Sequence, residues 1–330
     1  MSLVALESGA PRGSDPSMVD HPDVAAASTP LEAEPVRRAR RGLSVYLALV
    51  VAGSAVLEGL MLRAGGGIGT HGGLVLALMW TPGLASLVTR LALREHPRDV
   101  SFGFGGTAGA RGLGLALLYP LAVGTLAYGG AWLTGLERFE APARQVVDHT
   151  PAVAFAMRVA LMATLGALEG CISALGEELG WRGYMLTRLI DAGVRRPVLT
   201  SGLIWGAWHL PLILSGQYAS GPSPLLSAAM FLPTVVCGGY IAASVRLASG
   251  SVWPAVFFHG AWNAIIQGAF NRYTAGGSSS HGTGIWTGES GILVAAASLL
   301  VTYAFVLRQR FALRRTTGAE PGELVRMRDL

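Results

Sequence analysis

The sequence predicts an all-α, polytopic membrane bundle of about eight spans with both termini in the cytoplasm. Three observations predict it. Apolar runs of bilayer-spanning length recur along most of the 330 residues. Charged residues make up 14% of the chain, against about 25% in soluble domains, and mean hydropathy is +0.47. The arginines between the apolar runs fall mostly on one side of the expected bilayer. A soluble enzyme and a nucleic-acid partner are both excluded, despite a pI near 9.6. All 25 basic residues are Arg; with 45 Gly, this composition points to a bacterial source and a plasma-membrane location.

The elements follow in order. Residues 1–36 are rich in Pro, Ser, Ala and acids and lack periodicity, so 1–42 reads as a disordered cytoplasmic tail. It closes on Arg37, Arg38, Arg40 and Arg41, which anchor the first span. Spans are expected at 43–64, 73–93, 113–134, 153–187, 197–215, 225–245, 252–271 and 290–307, with 309–330 a second cytoplasmic tail. The transmembrane domain is thus 43–308. With the N-terminus inside, the inner segments hold Arg94, Arg98, Arg111, Arg188, Arg195, Arg196, Arg246 and the arginines of the C-terminal tail. The outer loops hold Arg138, Arg144 and Arg272. Residues 151–187 are too long for one simple span, and the sequence leaves open one helix or two. The Gly/Ser-rich loop at 273–284 reads as a flexible linker.

Ionisable groups inside a span are costly, and they mark candidate sites. Glu58 and Arg158 lie near span ends and are expected to snorkel. Glu169 is expected to pair. Glu177 and Glu178 are adjacent. Glu178 and Arg182 are four apart, share a helix face and can pair. Glu177 points about 100° away and has no such local partner. Burial without a cation suits a carboxylate that takes up a proton as general base. His209 follows Trp205 by four residues, and Asn263 follows His259 by four. Counted from the arginine-bearing ends, Glu177, His209 and His259 lie about 12–20 Å deep. Three helices thus bring polar groups to a similar layer, as one site opening to the cytoplasm requires. Cys171 and Cys237 have no metal-type spacing and read as buried thiols.

Glu-Glu-x-x-x-Arg, aromatic-x-x-x-His and His-x-x-x-Asn occur in this order on successive spans. This set resembles the CAAX-prenyl-endopeptidase and bacteriocin-processing (CPBP, or Abi) superfamily over roughly 150–271. Trp205 stands where the eukaryotic pattern has Phe, and an aromatic packing role survives that change. The resemblance implies an intramembrane protease with a cytosol-facing cavity. It implies Glu177 as the base that activates water, His209 holding that water, and Glu178 and Arg182 organising the site. It implies His259 and Asn263 as oxyanion stabilisers. Both metalloprotease and metal-free glutamate chemistry are implied for the family.

The residues themselves permit both chemistries. Glu177 with His209 can activate water, and Asn263 with His259 can bind an oxyanion. His209, His259 and a carboxylate, Glu178, make an acceptable catalytic zinc set with an open position. The His-Glu-x-x-His helix of zincins is absent from the sequence, and the reading leans to no cofactor. The expected partners are the lipid bilayer and a membrane-associated peptide or protein substrate. Two other functions use the same residues: a transporter or proton-coupled carrier with a Glu/His relay, and a catalytically idle bacteriocin-immunity scaffold. Clustering in one layer and the absence of an evident repeat weigh against the carrier.

Overall fold

The computed structural model describes residues 30–142, 150–219, 221–275 and 284–317. Arg144, the tail segments 1–29 and 318–330, and most of the Gly/Ser-rich loop lie outside the described residues. Eight helical stretches form the bundle: α1 Pro30–Ala64, α2 Gly72–Leu93, α3 Gly106–Thr134, α4 Pro151–Asp191, α5 Pro197–Leu214, α6 Pro224–Ser249, α7 at 253–273 and α8 Ile292–Thr317. Seven helices among the described residues are long and apolar enough to cross a membrane. The remaining stretch, α7, carries His259, Asn263 and Gln267 along one side.

Two boundaries move. The expected tail 1–42 gives way to helix at Pro30. Residues 31–41 are mostly Leu, Ala, Glu and Arg, all good helix formers. Buried Ala39, Gly42, Tyr46 and Val50 continue a helical stripe into the span. At the other end α8 runs on through Thr317.

The long fourth segment is one continuous helix, Pro151–Asp191. It holds two π-helical stretches, Met162–Gly166 and Trp181–Met185. A third, Asn263–Phe270, follows His259 in α7. Such π segments re-aim side chains within a helix and are frequent at functional sites. Here two of the three begin at or just after a motif residue.

α4 is the central helix, packed between α2 and α7. Glycines set both approaches. A Cβ on Gly176 would meet Trp80 Cα at 2.7 Å, and one on Gly170 would meet Gly260 Cα at 3.0 Å. Helices in lipid gain little from burying apolar surface against each other, so close backbone contact at small residues is what joins them. Gly170 and Gly176 lie just before Glu177 and Glu178 on α4, and Gly260 directly follows His259 on α7, so these approaches fix the distance between the two polar clusters.

At one end of the bundle Arg90, Arg188 and Arg246 converge on Asp99 in the α2–α3 connection. Arg90 Nη1 donates to Asp99 Oδ1 at 2.6 Å, Arg188 Nη2 to Asp99 Oδ2 at 2.7 Å and Arg246 Nη2 to the Asp99 carbonyl at 2.6 Å. Arg188 also pairs with Glu95 and Asp191. Arg90 Nη2 donates to the carbonyl of Gly183, inside the α4 π segment.

Candidate functional site

Glu177 and Glu178 end a regular stretch of α4, and both are buried. Glu178 behaves as its spacing predicts. Its Oε1 accepts from Arg182 Nη1 at 2.7 Å and from His259 Nδ1 at 3.0 Å, and all three side chains are buried. Arg182 also lies over the Trp205 ring, 4.3 Å from its centroid.

Glu177 corrects the expectation that it lacks a local partner. Its Oε2 accepts the indole N–H of Trp181 at 3.2 Å and of Trp205 at 2.8 Å. Trp181 is four residues on, so the local partner exists but is neutral. Oε1 lies 4.0 Å from His259 Nε2. Trp205 therefore does more than pack: a Phe there supplies no N–H.

His209 stands one turn beyond Trp205 on α5. Its Nδ1 donates to the Trp205 carbonyl at 2.8 Å, since a carbonyl only accepts. Nε2 is then an acceptor. The ring is framed by Trp208, Phe231 and Tyr218, the last stacked at 5.8 Å and 28°.

One cavity of about 280 Å³ is lined by Glu177, His209, His259 and Asn263 together. A smaller one of about 40 Å³ shares His209, His259 and Asn263 and reaches Trp205 and Glu289. The structure thus brings all four proposed reacting groups to one space, with Glu178 and Arg182 directly behind them.

The cavity lining extends toward one end of the bundle. From Glu177 its lining runs through Trp208 and Leu212 to Ile68, Gly69 and Gly72, at the α1–α2 connection. That is the end opposite the arginine cluster. Glu58 departs from expectation: instead of snorkelling it is 7% exposed and lines this cavity. Arg158 turns inward and donates Nε–H to the Gly268 carbonyl at 2.8 Å. Glu169 sits on an exposed face with no ion pair or hydrogen bond among the described residues. Cys171 and Cys237 are free thiols.

The proposed zinc set does not assemble. No three His, Cys, Asp or Glu side chains among the described residues come together as metal ligands. Glu178 directs Oε1 at a guanidinium and at His259, whose Nδ1 is thereby a donor. Glu178 is thus taken up by Arg182 and His259 and is not aimed at a position shared with His209.

Sequence reasoning missed Glu289, just before α8. It is buried and accepts from Trp262 Nε1 at 2.7 Å, Tyr218 Oη at 2.6 Å and Gln267 Nε2 at 3.0 Å. A carboxylate directly before an apolar run resembles an ordinary loop acid, and no local spacing marked it.

Residues 158–265 match the family described as type II CAAX prenyl endopeptidase Rce1-like. This match supports placing the chain with the CAAX-protease-like membrane proteases. The matched third of the chain runs from α4 into α7 and contains every motif residue above. No curated protein and no solved structure is significantly similar to the chain. The matched family is one of CAAX prenyl endopeptidases, and the seven apolar helices support a multi-pass membrane protein.

Proposed function

We propose that the chain is an intramembrane endopeptidase that cleaves a peptide bond of a membrane-associated peptide or protein with a water activated by Glu177 and His209. One observation carries the reading: Glu177, His209, His259 and Asn263 line the same cavity, while the arginine of the site is held by the other carboxylate, Glu178.

The roles follow from the donors and acceptors. His209 Nε2 accepts one hydrogen of the water and orients it. Glu177 takes the other proton as the water oxygen attacks the substrate carbonyl carbon. The carbonyl oxygen gains the negative charge and accepts hydrogen bonds from the Asn263 amide and from the Nε2–H of His259 in its imidazolium form, whose Nδ1–H stays on Glu178. When the C–N bond breaks, Glu177 returns its proton to the leaving amine. Trp181 and Trp205 hold Glu177 through neutral N–H groups, so it remains able to accept that proton. Glu178 and Arg182 fix His259 through Nδ1.

The test uses the full chain in lipid nanodiscs. Farnesylated peptides and unmodified membrane-inserted peptides are incubated with wild type and E177Q, and products are read by mass spectrometry. Cleavage by wild type but not by E177Q is expected. Equal cleavage by both overturns the assignment of the base. Solute uptake into proteoliposomes without any cleavage would favour a carrier.

A further inference from the structure

We infer that Glu289 is a positioning residue that ties the oxyanion side of the site to the water side; this rests on the peptidase reading above. Its two oxygens face different partners. Oε1 accepts from the indole of Trp262, the residue before Asn263. Oε2 accepts from Gln267, four residues after Asn263. One carboxylate therefore grips the π segment Asn263–Phe270 from both sides of Asn263. Oε2 also accepts from Tyr218, whose ring stacks on His209. The O–H···O distance of 2.6 Å is in the range of short, charge-assisted bonds.

The arrangement has a physical purpose. A π segment is a rare interruption of the regular helical hydrogen-bond ladder, and contacts from outside the helix help to hold it. Side chains outside the helix supply those contacts here: Arg158 on the Gly268 carbonyl and Glu289 on Trp262 and Gln267. The donors to Glu289 are an indole, a phenol and an amide. Such donors fix direction better than a flexible cationic side chain. Glu289 lines the small cavity beside His209, His259 and Asn263, close enough to set their relative placement. Reacting groups misplaced by about 1 Å can lose about 10²-fold in rate.

The experiment compares E289Q, E289A, E289D and Y218F in the full chain in nanodiscs. In E289Q an amide NH2 replaces one acceptor oxygen and faces a donor. We expect kcat to fall about 10²-fold for E289A and E289Q with KM nearly unchanged, partial recovery in E289D, and a smaller kcat loss in Y218F. In the N263A background E289Q should add only the smaller loss that runs through Tyr218 and His209, about that of Y218F. Amide exchange should rise within 263–270 in E289Q and stay unchanged in α2. A multiplicative loss in the double variant overturns the inference, as does a change in KM alone or full activity of both E289Q and Y218F. Should E289Q fail to fold, full activity of Y218F and E289D overturns it. An inactive wild type sinks the peptidase reading instead, and unchanged exchange over 263–270 then overturns this inference separately.

Discussion

The two ends of this bundle treat buried carboxylates differently. At the arginine end, Glu95 and Asp99 are held by Arg90 and Arg188. At the cavity end, Glu177 and Glu289 are held by indole, phenol and amide donors, with His259 4.0 Å from Glu177. Glu178 sits at the boundary, one residue from Glu177, and takes the arginine. A carboxylate paired to a guanidinium is fixed in charge and geometry. One held by neutral donors keeps its place and can still gain or lose a proton. Between the adjacent Glu178 and Glu177, the difference separates the group that builds the site from the group positioned to react.

The largest expected effect breaks this comparison at Glu177. The substitution Glu177→Gln keeps an acceptor oxygen for the two indoles but removes the base. Activity should fall by at least about 10²–10⁴-fold, while the thermal unfolding midpoint in nanodiscs stays near wild type. A variant that turns over normally would remove Glu177 from the chemistry. Asn263→Ala should follow, with a loss of about 10²–10³-fold if its amide binds the oxyanion.

Arg182→Met should give the opposite pattern, a folding defect. It leaves Glu178 buried beside His259 without its guanidinium. Breaking a buried pair from one side costs about 3–5 kcal/mol, which a shifted unfolding transition would register. Asp191→Asn is the contrast within the same ion network, because Asp191 is 51% exposed. It should shift stability by less than about 1 kcal/mol. Equal losses in the two variants would mean that burial does not grade these pairs.

How much of this was legible in the sequence depends on the range of the interaction. The spans follow from apolar runs, and the Glu178–Arg182 pair follows from i,i+4 spacing along one helix. The convergence of Glu177, His209, His259 and Asn263 followed from depth and motif order together. The Trp205–Glu177 bond joins two helices across 28 residues of sequence, and no pattern announces which indole turns toward which carboxylate. Glu289 draws donors from the α5–α6 connection and from α7, so nothing near it in sequence marks it. The unbroken α4 was undecidable because its π segments absorb extra residues without ending the helix.

A chelator tests the comparison from the side of the metal. Glu178 is bonded to Arg182 and His259, so treatment with a strong chelator should leave turnover unchanged, and elemental analysis should find less than one zinc per chain. Activity lost on chelation and restored by zinc would mean that the arginine-paired carboxylate exchanges its partner during turnover.

The smallest expected loss of activity is the most specific to this chain. Trp205 donates to Glu177 at 2.8 Å, and its ring also stands beside His259 at 5.3 Å and under Arg182. Trp205→Phe keeps an aromatic surface for both and removes only the N–H. A hydrogen bond to a charged acceptor is worth about 1.5–3 kcal/mol, but Trp181 remains as a second donor to the same oxygen, so the loss should be the lower part of that range, about tenfold in kcat. Trp181→Phe should cost less, because its bond is longer, 3.2 Å against 2.8 Å. If the two single variants are mild and the double variant is severe, the indoles are interchangeable holders of one carboxylate. If Trp205→Phe alone is as severe as Glu177→Gln, the indole of α5 does more than hold Glu177, and the neutral end of the bundle depends on a single donor.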